Sequence, residues 1–110
     1  MTSGQKGKRA RTRPMRELRV SGPADRDIVS IAEYTTREFG ERQARKCRDD
    51  FQACFRSLLD NPHLGRSAEE LAPGLRRIRQ QAHVVFYLPS DDAVLIVRVL
   101  HASMDFERRF

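Results

Sequence analysis

The chain has no tryptophan, two cysteines and two tyrosines in 110 residues, and no apolar run near the roughly 18 residues that a membrane span needs. The two cysteines, Cys47 and Cys54, fall on one stretch of helical pattern. Their spacing sets them about 10 Å apart along a helix axis, beyond disulfide reach, so they are expected to be reduced thiols in the core. His63, His83 and His101 are scattered, no Cys or His cluster has metal-ligand spacing, and no cofactor is implied. The N-terminus lacks the apolar centre of a secretory signal, which points to a cytoplasmic protein with no membrane partner.

Acid is missing from the first fourteen residues. Lys6, Lys8, Arg9, Arg11 and Arg13 place five cations there, so of the formal net charge of +6 only +1 belongs to residues 15–110. Gly4, Gly7 and Pro14 accompany them, with no large apolar residue between Met1 and Met15. Such a segment cannot repay the entropy of ordering. It is expected to be a disordered basic extension, residues 1–14, ahead of one domain over residues 15–110, with Met15 a candidate start. It is either a weak tether to nucleic acid or ribosome or, more simply, a solvated extension.

The rest of the chain is patterned. Met15–Val20 alternates Leu18 and Val20 against Arg16 and Arg19, an edge strand with its apolar side inward. Ser21-Gly22-Pro23 opens a helix carrying Ile28, Ile31, Ala32, Thr35 and Phe39 at helical spacing, and Gly40 stops it. A second helix, from about Glu41 to Asp60, lines up Ala44, Cys47, Phe51, Cys54, Phe55, Leu58 and Leu59, and Asn61-Pro62 ends it. Gly40 leaves almost no connection, so the helices form an antiparallel hairpin. After a loop over residues 61–74, with a capped turn at Ser67-Ala68-Glu69-Glu70, strands are expected at Leu75–Arg79, His83–Leu88 and Ala93–His101. Their short connections favour an antiparallel meander.

The fold class is therefore α+β: an N-terminal edge strand and a helical hairpin packed on one face of a small antiparallel sheet, in the order β-α-α-β-β-β. In the third strand Val94, Ile96, Arg98 and Leu100 oppose Leu95, Val97, Val99 and His101. Both faces of the last two strands are apolar, and one hairpin covers one face. The other face is expected to need a self-dimer or partner chain, unless Met104, Phe106 and Phe110 fold back over it.

With the Asn61-Pro62-His63-Leu64-Gly65-Arg66 loop, the Pro73-Gly74-Leu75-Arg76 strand entry, Val85-Phe86-Tyr87 and the closing Arg98-Val99-Leu100-His101 in this order, the chain over residues 15–110 resembles the ParE branch of the ParE/RelE toxin superfamily. The resemblance implies the toxin of a type II toxin-antitoxin module. It further implies a ParD-like antitoxin that wraps sheet and helices, a heterotetramer or larger assembly, and inhibition of DNA gyrase or a related topoisomerase by binding. The antitoxin surface is expected at Ile96, Val97, Arg98 and His101. Target contact is expected at Arg76, Arg77 and Arg79, of which Arg77 and Arg79 share a strand face while Arg76 takes the other.

The superfamily's RelE-like branch cleaves messenger RNA on the ribosome. Arg79, Arg98 and His101 are the candidates for that chemistry, which needs cations on the scissile phosphate and a proton-transfer group. The missing C-terminal tyrosine argues against it, since no tyrosine follows Tyr87. Arg66 is expected to fix its loop, and Arg98 to pair with a partner's acid or with Asp105. Direct nucleic-acid binding is not expected of the folded part, which is nearly neutral and has no recognition-helix pattern.

Overall fold

The computed structural model describes residues 16–110, and the extension expected at residues 1–14 lies outside them. Strand β1 (Glu17–Val20) leads into helix α1 (Gly22–Phe39), where Ser21 Oγ accepts the Ala24 N–H at 3.0 Å and Pro23 occupies the first turn. Gly40, at φ +89°, ends α1 in a conformation that a side chain would strain, and α2 (Glu41–Asp60) begins at the next residue. A two-residue β2 (Arg66–Ser67), β3 (Arg76–Gln80), β4 (His83–Pro89) and β5 (Ala93–His101) follow, then a 3-10 turn at Phe106–Arg109.

The sheet order is β1-β5-β4-β3-β2. Strands β2 to β5 form the antiparallel series that their short connections require. The edge strand β1 pairs parallel to β5, from Glu17 beside Ala93 to Val20 beside Ile96, so the sheet is mixed. A parallel pair needs a long crossover, and the helical hairpin supplies it. Leu18 and Val20 stay exposed, against the expectation of an inward apolar side.

On one face Phe51, Cys54, Phe55 and Leu58 of α2 meet Val85, Tyr87, Val94, Ile96 and Val99. Each large side chain buried there contributes about 1.5–3 kcal/mol. The opposite face does not stay open. Ala68, Leu75, Val84, Phe86 and Leu100 form a second core, with Leu71, Ala72 and Phe106 packed on it. The rings of Phe106 and Phe110 both stand edge-on to Phe86, with centroids 5.0 Å away. The C-terminus thus closes the face for which a partner was expected.

The alternation expected along β5 also breaks. Phe86 pairs with Arg98 but Tyr87 pairs with Ile96, which leaves Val97 as a bulge. One extra residue reverses the side-chain parity. Val94, Ile96 and Val99 therefore lie in the helix-side core, while Val97 and Leu100 lie in the far one.

Candidate partner-binding site

The loop after α2 is anchored by Tyr87, which is fully buried. Its hydroxyl donates to the Pro62 carbonyl at 2.9 Å and accepts the Gly65 N–H at 2.9 Å. Gly65 lies against the Arg77 backbone so tightly that a Cβ there would stand 2.7 Å from Tyr87 Oη. Arg76 completes the clamp, donating from Nη2 to the carbonyls of Gly65 at 2.5 Å and His63 at 3.3 Å. Arg76, expected to touch a target, is thus occupied in its own loop. Arg66, expected to hold that loop, is exposed and has no ion pair among the described residues.

Arg77 and Arg79 do share a face of β3. Arg77 pairs with Glu70 at 3.1 Å, and Arg79 Nε donates to the Gln81 carbonyl. That face is the one away from the hairpin.

Arg98 is not free. Its Nε and Nη2 donate to Asp27 Oδ2 and Oδ1 at 2.7 and 2.9 Å, reaching around the β5 edge to α1. This hydrogen bond, with the Asp27 charge, holds the guanidinium pKa above its ordinary value, although burial works the other way. Asp27 Oδ2 also accepts the Val99 N–H at 3.0 Å, and Ser21 Oγ donates to the Val97 carbonyl at 2.8 Å. Ser21, which caps α1, and Asp27 within it therefore satisfy the β5 edge where β1 stops pairing, beyond Ile96. In the sequence alone Asp27 is no more than an acid near a helix start.

Beyond this edge lies a groove of about 810 Å³ between the far halves of the helices and the β3–β4 turn. Ile31, Tyr34 and Phe39 of α1 and Phe51 of α2 give it an apolar wall, with Cys47 and Asp50 beside them. Tyr34 is 53% exposed and Phe39 66%, their rings edge-to-face at 6.4 Å, with the Arg37 guanidinium 5.8 Å over Tyr34. At its floor His83 stands edge-on to Phe51 and to His101, centroids 5.8 and 5.5 Å away. Burial, and then His101, push the His83 pKa down. His101 Nδ1 accepts the Ser103 N–H at 3.1 Å and meets Ser103 Oγ at 2.7 Å, a structural role.

Of the residues expected to bind the antitoxin, His101 alone borders this groove. Ile96 is fully buried beneath the hairpin, Val97 packs into the far core and Arg98 is held by Asp27. Nor do Arg79, Arg98 and His101 form a common site, since His101 lies on the helix side, Arg79 on the opposite face and Arg98 at the edge. Tyr34, off the core stripe of α1, was missed. An exposed aromatic beside Phe39 was the available signal. Among the described residues no group of three or more Cys, His, Asp or Glu is placed to hold a metal ion, and no helix is long and apolar enough to cross a membrane.

A family model described as the ParE toxin of the type II toxin-antitoxin system parDE matches residues 18–106. The chain is 35% identical over 91 residues to Toxin ParE1 of Caulobacter vibrioides, covering 83% of this chain and 94% of that one. It is 32% identical over 91 residues to Toxin ParE of Escherichia coli, covering 82% and 88%. A solved structure of the chromosomal ParDE TA system from P. aeruginosa has the same fold, with a TM-score of 0.68 at 18% identity over 79% of this chain and 96% of that chain. The strand, helical hairpin and meander, matched over nearly the whole described chain, make this protein a member of the ParE toxin family of type II toxin-antitoxin systems.

Proposed function

We propose that this toxin is neutralised by a ParD-like antitoxin that seats an amphipathic segment in the groove between the helical hairpin and the β3–β4 turn. The observation that carries the reading is the groove itself: two exposed aromatics, Tyr34 and Phe39, on a helix otherwise rich in charge. An apolar groove of this kind suits the apolar face of an amphipathic helix. The named relatives are ParE toxins and the P. aeruginosa structure is a ParDE system, which supports the same partner; the assembly proposed with it is a heterotetramer or larger. Tyr34→Asp with Phe39→Asp should leave the melting temperature unchanged and weaken antitoxin binding by about 2 kcal/mol or more. Undiminished binding by a folded double variant refutes the groove.

The toxic act is binding to DNA gyrase or a related topoisomerase, without nuclease chemistry. The dispersal of Arg79, Arg98 and His101 supports the lack of nuclease chemistry, and the gyrase target rests on the family resemblance alone. Purified toxin should inhibit supercoiling by gyrase, and its expression without antitoxin should arrest replication. Ribosome-dependent cleavage of messenger RNA, lost in His101→Ala, would instead establish a RelE-like enzyme.

A further inference from the structure

On the face of the sheet away from the hairpin, three arginines stand together. Arg66 of β2 lies directly opposite Arg77 of β3, and Arg79 follows two residues on along the same face. All three line a concavity of about 430 Å³ whose apolar part includes Val84 and Phe106. Like charges directly opposite across a strand pair destabilise it. The cost falls here on a strand of two residues, kept in place by the Tyr87 and Arg76 clamp before it and by the buried Ala68 after it.

The cluster is undercompensated. Glu70, at 3.1 Å from Arg77 Nη2, is the one carboxylate paired with it among the described residues. Glu69 accepts the Gly74 N–H instead, and Arg79 is engaged by a neutral carbonyl. Residues 1–15 contain no Asp or Glu that could supply another. The 3-10 turn that contributes Phe106 also carries Arg108 and Arg109.

We infer that this arginine cluster is a binding site for the phosphodiester backbone of nucleic acid, read without regard to base sequence. A lone carboxylate or free phosphate engages one or two guanidinium forks. A chain charged at every nucleotide engages Arg66, Arg77 and Arg79 at once and relieves the repulsion between the opposed pair. The near-neutral net charge of residues 15–110 conceals the site because acids spread over the rest of the domain balance it in the sum. The five cations of residues 1–14 add charge of the same sign to the same ligand.

The test uses the full chain with Lys6, Lys8, Arg9, Arg11 and Arg13 changed to Gln, and labelled duplex DNA, single-stranded DNA and RNA as probes, in the absence of antitoxin and gyrase. It therefore stands apart from the function proposed above. Adding Arg66→Gln and Arg79→Gln should weaken binding about tenfold and lower the slope of log K against log salt by about 2. Arg66→Gln alone should not lower the melting temperature, since it removes a like-charge contact. Arg66→Lys with Arg79→Lys should keep most of the salt slope, and Arg42→Gln with Arg45→Gln on α2 should change neither quantity. The probe bound most tightly identifies the form of nucleic acid. No binding by the tail-neutralised chain, an equal loss in the α2 control, or competition by polyglutamate as strong as by DNA would each overturn the assignment.

Discussion

Arg98 and Asp27 form a two-point ion pair across 71 residues of sequence, at 2.7 and 2.9 Å, and the same carboxylate receives the Val99 N–H at 3.0 Å. One aspartate thus fixes the start of α1 to the edge of β5 that β1 leaves beyond Ile96. The pair is partly exposed, with side chains 22% and 15% accessible, which places its worth between that of a surface pair and a fully buried one.

Asp27→Ala should accordingly destabilise the protein by about 2–3 kcal/mol, because it strands both a half-buried guanidinium and a backbone donor. Arg98→Ala should cost less, since Asp27 keeps the Val99 N–H. Urea unfolding of both single variants and the double variant measures the coupling, and additive effects would show that the pair contributes nothing beyond its parts.

Tyr87→Phe should cost about 1–3 kcal/mol, the penalty for leaving the buried Pro62 carbonyl and Gly65 N–H without their shared partner. Gly65→Ala should cost at least as much, because its Cβ meets the Arg77 carbonyl and the Tyr87 hydroxyl. If Tyr87→Phe unfolds at the wild-type urea midpoint, the hydroxyl bridge is not what holds this loop.

Cys54 is buried and Cys47 half-buried on the groove wall, and burial raises both thiol pKa values, helped at Cys47 by Asp50 and opposed by Lys46. Cys47 should react first with a thiol reagent in the native state, and Cys54 only on opening of the hairpin. Cys54→Ala should cost about 1–2 kcal/mol, and Cys54→Asp several times that as an unpaired charge in the core. Equal labelling rates would contradict the burial.

His83 carries a pH dependence of definite sign. Its folded pKa lies below the ordinary value near 6.5, so the unfolded chain takes up the proton first as the pH falls. Its neutral form leaves stability untouched well above pH 6.5. Stability then drops by at most about 1.4 kcal/mol per pH unit through that value and levels off below the folded pKa. His83→Gln should flatten this part of the curve relative to wild type; superimposable curves would exclude the residue as its source.

Local signals were legible in the sequence wherever neighbours along the chain decide the outcome. Ser21 capping α1, Gly40 at φ +89° separating the helices and Asn61-Pro62 ending α2 each act within a turn of backbone, and all fall where the pattern put them. The opposite faces of Arg76 and Arg77 follow likewise from the period of a strand. The placement of Ile96, Val97 and Arg98 did not follow, because the bulge at Val97 belongs to the pairing of two strands and leaves no mark in either.

The sequence by itself determined both helices, the strands β1, β3, β4 and β5 and their order, because propensity, capping and chain stiffness are properties of short segments; the two-residue β2 fell inside what the sequence shows as a loop. Only the tertiary structure decided that β1 runs parallel to β5, that Phe106 and Phe110 close the second face, that Asp27 claims Arg98, and that Arg66 lands opposite Arg77. Each of these joins residues that are neighbours only after the chain has folded. Competing partners of equal chemical merit, such as Asp105 for Arg98, are separated by geometry alone.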